Sequence, residues 1–261
     1  MLYGKLKKEQ SLLLSASWKT LLFAFLLSFG ISFISGILLI NVFGISPEAI
    51  YQVSSKRISS VFPLIETGVK AGIDPGLLIF LWNALGALAT ISFIYTAAFF
   101  DPRKISLFPR GLRKMFCGRT RMKIFCFLPG CRAIADESLR RLYVWLMVPL
   151  LGMILLGVET GLSVSTSTFL FDSAALAFFS LLPHGIIEIP SFALAGAVSF
   201  SAHRVMQGEI PDSETGEVFT RIETYRKELP LTVISFTVLL SLLAAGLIEA
   251  RLTGRIMDFL T

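Results

Sequence analysis

His184 and Glu188 are the residues whose types and spacing best suit chemistry. They lie four apart in Pro183-His184-Gly185-Ile186-Ile187-Glu188-Ile189-Pro190, so a helix would place both side chains on one face. Placing an imidazole and a carboxylate in apolar surroundings costs free energy, so such pairs tend to face a cavity or a partner. The segment is therefore the first candidate for a functional site.

Three interpretations of this pair remain open. In the structural one, Glu188 pairs with His184 or caps backbone groups that the prolines leave free. In the second, the pair lines a path for protons or ions. In the third, both are metal ligands, but a zinc protease needs H-E-x-x-H on a helix, and the other histidine, His203, is nineteen residues away. We expect no catalytic residue, metal or other cofactor, although a site shared with Asp172 or a partner chain stays open.

The remaining candidate positions are expected to be structural. Asp172 is followed by Ser173 and an apolar run, which favours a helix cap at the membrane edge over a catalytic acid. Asn83 lies among small residues at 83–90, where helices approach closely and an amide can hydrogen-bond across the contact. Pro183, Gly185 and Pro190 belong to the motif as residues that shape the backbone.

The composition places these residues in a membrane protein. Hydrophobic residues make up 54% and charged residues 16% of 261, against about 25% charged in soluble domains, and the mean hydropathy is +0.73. No phosphate-binding Walker loop, G-x-S-x-G motif or dinucleotide fingerprint is present. The net charge of +6 does not indicate nucleic acid, because the densest positive charge lies in one loop between two apolar spans.

The apolar runs predict an all-α, polytopic transmembrane bundle that forms a single domain over 1–261. Four runs are long enough to cross about 30 Å of hydrocarbon: 21–43, 76–100, 142–161 and 231–248. A fifth region, 172–206, has only about ten residues, or about 15 Å of helix, before Pro183. Two prolines with a glycine between them make a continuous helix unfavourable there. We therefore predict a broken or re-entrant helix, with five spans or, if it forms a full hairpin, six.

The loop at 101–141 fixes the expected orientation. It holds eleven lysines and arginines, and such loops stay in the cytoplasm. With five spans, nineteen basic residues lie inside and five outside, a better split than six spans give. We expect a multi-pass protein of the cell membrane with its amino terminus and this loop cytoplasmic. The three cysteines of the loop should then be reduced thiols, and the basic residues expected to face anionic lipid are Arg110, Arg113, Lys114, Arg119, Arg121 and Lys123.

Residues 46–75 connect the first two spans on the outer side. Apolar residues recur there at roughly helical spacing, and Pro63 interrupts them. This pattern predicts short amphipathic helices at the membrane interface or, equally, an ordinary external connector.

The motif from Leu182 to Pro190, followed by Ala195-Gly196-Ala197, resembles the signature of the stage II sporulation protein M family. That family shows Pro-His-Gly, a glutamate three residues on and then an apolar Ala-Gly stretch. The span containing Phe80 and Asn83 is similar to the family's asparagine-bearing helix, so the resemblance covers roughly 75–250. This chain has Val198-Ser199 where the family usually has another glycine, and its long basic loop is an elaboration.

The resemblance implies an integral membrane protein without established catalysis. In endospore formers the family member is a membrane scaffold that recruits cell-wall hydrolases. Only the scaffold role is carried over here, because many relatives occur in organisms that make no spores. We expect a non-enzymatic organiser of other membrane or membrane-associated proteins. Its expected partners also include membrane lipids, and a homo-oligomer is an open alternative. The alternatives are a transporter or channel component with a midplane site at Pro183–Pro190, and an intramembrane enzyme.

Overall fold

The computed structural model describes residues 2–101, 131, 134–209 and 214–253, and every regular element within those ranges is helical. The all-α class predicted from the sequence is confirmed. Five helices are long and apolar enough to cross a membrane, as the five-span alternative requires. These candidate spans are Gln10–Asn41, Pro75–Thr96, Glu137–Leu170, Ala174–Gly208 and Leu231–Arg251.

The helices are numbered here in chain order. They are α1 (Leu2–Asn41), α2 (Pro47–Ser54), α3 (Lys56–Lys70), α4 (Pro75–Ser92), α5 (Ala97–Phe100), α6 (Glu137–Leu170), α7 (Ala174–Glu209), α8 (Thr215–Glu228) and α9 (Leu231–Ile248). A 3-10 turn, Phe93–Thr96, joins α4 to α5, and a π-helical segment, Glu249–Thr253, continues α9.

Helix α7 is continuous and contains both Pro183 and Pro190. The predicted broken or re-entrant element at 172–206 is therefore wrong. A proline removes one backbone hydrogen bond, and a membrane helix continues through it when neighbouring groups satisfy the backbone. The carbonyls that Pro183 and Pro190 free are those of Phe179 and Ile186. Helix α7 is packed against α1, α4, α6 and α9, and the indole nitrogen of Trp18 in α1 donates to the carbonyl oxygen of Pro190 at 3.0 Å, which ties the proline-containing stretch to the bundle.

The turn between α6 and α7 lies before the prolines, at residues 171–173. Asp172 has a left-handed backbone with φ of 51°, and the amide of Ser173 donates to the carbonyl of Thr168 at 3.1 Å, as in a Schellman ending. The amide of Leu176 donates to the Ser173 hydroxyl at 3.3 Å. The predicted helix start is therefore confirmed, but the cap is Ser173, and Asp172 instead ends α6.

The centre of the bundle is α7. Its small residues Ala193, Ala195 and Ala197 are fully buried, as are Ser199 and Ser201. Small residues let neighbouring helices approach closely. The hydroxyl of Ser199 donates to the carbonyl of Thr90 in α4 at 3.1 Å.

Two glycines bring α6 against α1. A Cβ added to Gly157 would lie 2.6 Å from the carbonyl oxygen of Phe25, and one added to Gly161 would lie 2.9 Å from the backbone nitrogen of Phe33. The backbones of the two helices are therefore in direct contact, as the spacing G-x-x-x-G allows. This contact was not predicted from the sequence.

The connector between the first two spans contains two helices, α2 and α3. Ser46 caps α2, since its hydroxyl accepts from the amide of Ala49 at 3.3 Å, and α3 runs through Pro63. Ile50 and Val61 are buried against the bundle. The predicted short amphipathic helices are confirmed as helices, and neither belongs to a candidate span.

On the side of the basic loop, α8 lies on the bundle through four buried residues, Val218, Phe219, Ile222 and Tyr225. Burial raises the pKa of the Tyr225 phenol to about 12. Residues 102–130, which hold the six basic side chains expected at lipid, lie outside the described residues. Cys131 is buried and disulfide-bonded, so the expectation of a reduced thiol is wrong at this position.

Candidate functional site

His184 and Glu188 lie on one face of a helix, as their spacing predicted. Both lie on α7, one turn apart and on the same face. The carbonyl that Pro183 frees lies four residues earlier, at Phe179, so the backbone of His184 and Glu188 does not lose a hydrogen bond to this proline. The two side chains therefore project together from a continuous helix.

Glu188 is joined to the second candidate span by an amide. The side-chain nitrogen of Asn83 in α4 donates to a carboxylate oxygen of Glu188 at 2.6 Å. Asn83 was expected to hydrogen-bond across a helix contact, and it does. Its acceptor, 105 residues away along the chain, was not predicted, because nothing in the local sequence sets which faces of α4 and α7 meet.

A third ionisable residue completes the cluster. One ligand atom each from His184, Glu188 and Glu249 lies within 4.8 Å of the others. Glu249 is the first residue of the π-helical segment after α9, and π turns are often found at functional sites. Asn83 is the ninth residue of α4, so these four residues, here called the polar cluster, lie toward the end of the bundle where α4 begins and α9 ends.

Glu249 was not among the residues singled out from the sequence. The available signal was a carboxylate placed directly after an apolar span, on the side of the membrane where α4 begins. Such a residue is most simply explained as the polar end of a helix. The packing of α9 against α4 and α7 is what brings the Glu249 carboxylate close to His184 and Glu188.

The hydrogen-bonding of the polar cluster is incomplete. The Nδ1 atom of His184 is excluded from solvent and has no hydrogen-bond partner among the described residues. Glu188 and Glu249 bring two carboxylates to one place, and neither forms a salt bridge with a described lysine or arginine. Two carboxylates that share a site repel each other unless a proton or a cation lies between them.

The end of α9 is held in place beside the cluster. The guanidinium of Arg251 donates to a carboxylate oxygen of Asp74 at 3.0 Å. Asp74 also caps α4, because its other oxygen accepts from the amide of Gly76 at 2.9 Å. The hydrogen bond from Arg251 lowers the pKa of Asp74 below its ordinary value. Arg251 thus has an acidic partner of its own, outside the cluster.

The other predicted site residues do not join the cluster. Asp172 precedes His184 by twelve residues, about 18 Å along a helix, and is not one of the three clustered ligands. Pro183 and Pro190 flank the cluster on α7, and a Cβ on Gly185 would meet only the side chains of its own helix, at 3.4 Å or more. Gly185 is therefore not required by close packing among the described residues.

His203, the second histidine, lies elsewhere. It is 1% exposed, with the ring of Tyr143 at 4.2 Å and that of Phe200 at 5.7 Å between centroids. It follows Glu188 by four turns of α7. His203 is therefore not part of the polar cluster.

Comparison of the sequence with protein-family models identifies the family of this chain. Neither the curated proteins nor the solved structures gave a match. The family model for Stage II sporulation protein M matches residues 112–254, more than half of the chain, including α6 to α9 and three members of the polar cluster. Asn83 lies before the matched residues. The motif, the five candidate spans and this match together show an integral membrane protein that belongs to the Stage II sporulation protein M family.

Proposed function

We propose that this protein is a non-enzymatic scaffold that holds partner proteins at the membrane. The supporting observation is an apolar surface on α2 and α3, which lie outside the candidate spans. Val53, Phe62 and Leu64 are 73%, 62% and 67% exposed, while Ile50 and Val61 already fill the contact with the bundle. Apolar side chains beyond those needed for packing suit a surface that binds another protein.

The proposed orientation places this surface outside the cell. Eleven basic residues at 101–141 favour a cytoplasmic loop, and with five spans α2 and α3 are then external and α8 cytoplasmic. The disulfide at Cys131 points the other way, because disulfides are rare in most cytosolic proteins. The proposed orientation follows the basic residues, since charge in a short loop sets topology directly, whereas intracellular disulfides do occur in hyperthermophiles.

Labelling from one side of the membrane tests the orientation. Ser59→Cys in α3 and Thr220→Cys in α8 introduce thiols at exposed positions, in a chain that keeps its native cysteines and whose own labelling is measured as the background. A membrane-impermeant maleimide added to intact cells should label the first and not the second. Labelling of the α8 position alone would reverse the proposed orientation.

Site-specific photocrosslinking tests the scaffold role. A photoreactive residue at Phe62 or Leu64 should give protein adducts of defined mass in native membranes. The matched control is Glu66, which lies on the same helix and pairs with Lys70 at 2.6 Å. A Val53→Glu substitution should remove the adducts, and substitution of His184 and Glu188 by glutamine should leave them. Adducts with lipid alone would contradict the scaffold role and leave α2 and α3 as interfacial helices.

The polar cluster supports a second candidate, a component of an ion or proton transport system. Ionisable side chains inside an apolar bundle are a usual mark of transport paths. Glu188 accepts a hydrogen bond from Asn83 and lies close to His184 and Glu249. Purified protein in proteoliposomes with a trapped pH indicator provides the test. Flux that falls in Glu188→Gln, and not in the His203→Gln control, would favour transport. Equal proton or cation leak with and without the protein would contradict it.

A further inference from the structure

We propose that His184, Glu188 and Glu249 bind one divalent transition-metal cation of the Zn²⁺ class through one nitrogen and two oxygen ligands. The proposal goes beyond the scaffold role and does not depend on it. A metal held between α7 and the end of α9 would hold together the end of the bundle where α4 begins.

The geometry is close to that of a metal site. Ligands of one tetrahedral Zn²⁺ are about 2.0–2.2 Å from the ion, which puts them about 3.3 Å from one another. The three candidate atoms already lie within 4.8 Å, so small side-chain rotations would bring them together. Two of them come from one face of α7, one turn apart, so the helix already holds them side by side.

The charges also balance. Two carboxylates and a neutral imidazole carry a charge of −2, which a dication neutralises. Glu188 and Glu249 have no described basic partner, and the nearby guanidinium of Arg251 is bonded to Asp74 at 3.0 Å. Uncompensated carboxylates in a low-dielectric interior are very costly, whereas carboxylates that coordinate a metal are not.

A third observation comes from the imidazole itself. The Nδ1 atom of His184 has no hydrogen-bond partner among the described residues although solvent does not reach it. Buried polar atoms are nearly always bonded, so the imidazole of the cluster still has a ring nitrogen that is available to a ligand. An imidazole ligand favours a transition metal over Mg²⁺ or Ca²⁺, which prefer oxygen alone.

Asn83 provides the support that metal ligands usually have. Its amide donates to one oxygen of Glu188 at 2.6 Å, which orients the carboxylate and leaves the other oxygen for the ion. Hydrogen bonds to ligating groups hold them in position and strengthen binding. Asn83 is therefore a positioning residue of the proposed site.

Metal titration of the purified full-length protein in lipid nanodiscs tests the proposal. After chelator treatment, the wild type should bind one equivalent of Zn²⁺ in competition with a chromophoric chelator. His184→Gln and Glu249→Gln should each raise the Kd at least about 100-fold, since each removes a direct ligand. His203→Gln, which removes the other histidine, and Glu66→Gln, which removes an exposed carboxylate, should leave the Kd unchanged.

Co²⁺ substitution identifies the ligands when a variant fails to fold. The wild type should show the weak visible bands of cobalt bound by nitrogen and oxygen, and no thiolate-to-metal charge-transfer band. A thiolate band would assign the metal to the loop cysteines and overturn the proposal. So would a wild type without stoichiometric binding, or equal affinity in the wild type and in both ligand variants. Crosslinks from α3 are scored separately, so failure here leaves the scaffold proposal standing.

Discussion

Gly76 and Gly246 bring the backbones of α4 and α9 into direct contact. A Cβ added to Gly76 would lie 2.9 Å from the carbonyl oxygen of Gly246, and one added to Gly246 would lie 2.7 Å from the carbonyl oxygen of Gly76. Real Cβ atoms essentially never come so close to a backbone oxygen. This contact sets the position of the end of α9, and therefore of Glu249.

The first prediction concerns this contact. Gly246→Ala should lower the free energy of unfolding by about 1–3 kcal/mol, as overpacking of a close contact does. Gly86→Ala is the control, because Gly86 is on α4 and a Cβ there meets nothing within 4 Å. Thermal unfolding in one detergent compares the two variants. Equal midpoints would show that α4 and α9 are farther apart than described.

The second prediction concerns α1 and α6. Gly161→Leu should force these helices apart, because even a Cβ at this position reaches the backbone nitrogen of Phe33 at 2.9 Å. Gly152→Leu, on the same helix, should be tolerated since nothing lies within 4 Å of its Cβ. The fraction of protein recovered as a monodisperse peak in detergent measures the difference. Similar recovery of the two leucine variants would contradict the described interface.

Hydropathy predicted the helical class and the candidate spans, because lipid selects long apolar helices whatever their neighbours are. It did not predict the continuity of α7. The rule that proline breaks helices is local, whereas α7 is packed against four other long helices, and the local sequence does not show that packing. The face shared by His184 and Glu188 follows from helical spacing alone. The membership of Glu249 in the polar cluster could not be predicted in this way, since it depends on how α9 packs against α4 and α7.

The third prediction concerns the positioning of Glu188. If the cluster binds a metal, Asn83→Ala should raise the Kd for Zn²⁺ by about 10–100-fold, the usual cost of losing a hydrogen bond to a ligand. The one-to-one stoichiometry should remain. Thr90→Ala is the control on the same helix, because the Thr90 hydroxyl donates to the carbonyl of Gly86 within α4 and is not part of the polar cluster. An unchanged Kd in the alanine variant at position 83 would remove Asn83 from the site.

The fourth prediction is a pH dependence at the junction of α4 and α9. The hydrogen bond from Arg251 lowers the pKa of Asp74 from its ordinary value of 3.8, so the folded state favours the ionised carboxylate. Its contribution to stability is complete well above pH 3.8, and it is lost as the pH falls through the lower pKa of the folded state. Asp74→Asn keeps an oxygen that can cap α4 but removes the charge opposite Arg251.

The asparagine variant should therefore unfold at a lower temperature than the wild type at pH 7, and the gap should close in acid. Unfolding midpoints measured from pH 7 to pH 2.5 in one detergent follow this change. Glu66→Gln is the matched control, because it breaks an exposed pair within α3 that does not join two spans. A gap that persists undiminished at pH 2.5 would mean that the charge of Asp74 is not what stabilises the junction, since the carboxyl is protonated there in the unfolded chain. The stabilising contribution would then have to come from the geometry of the cap alone.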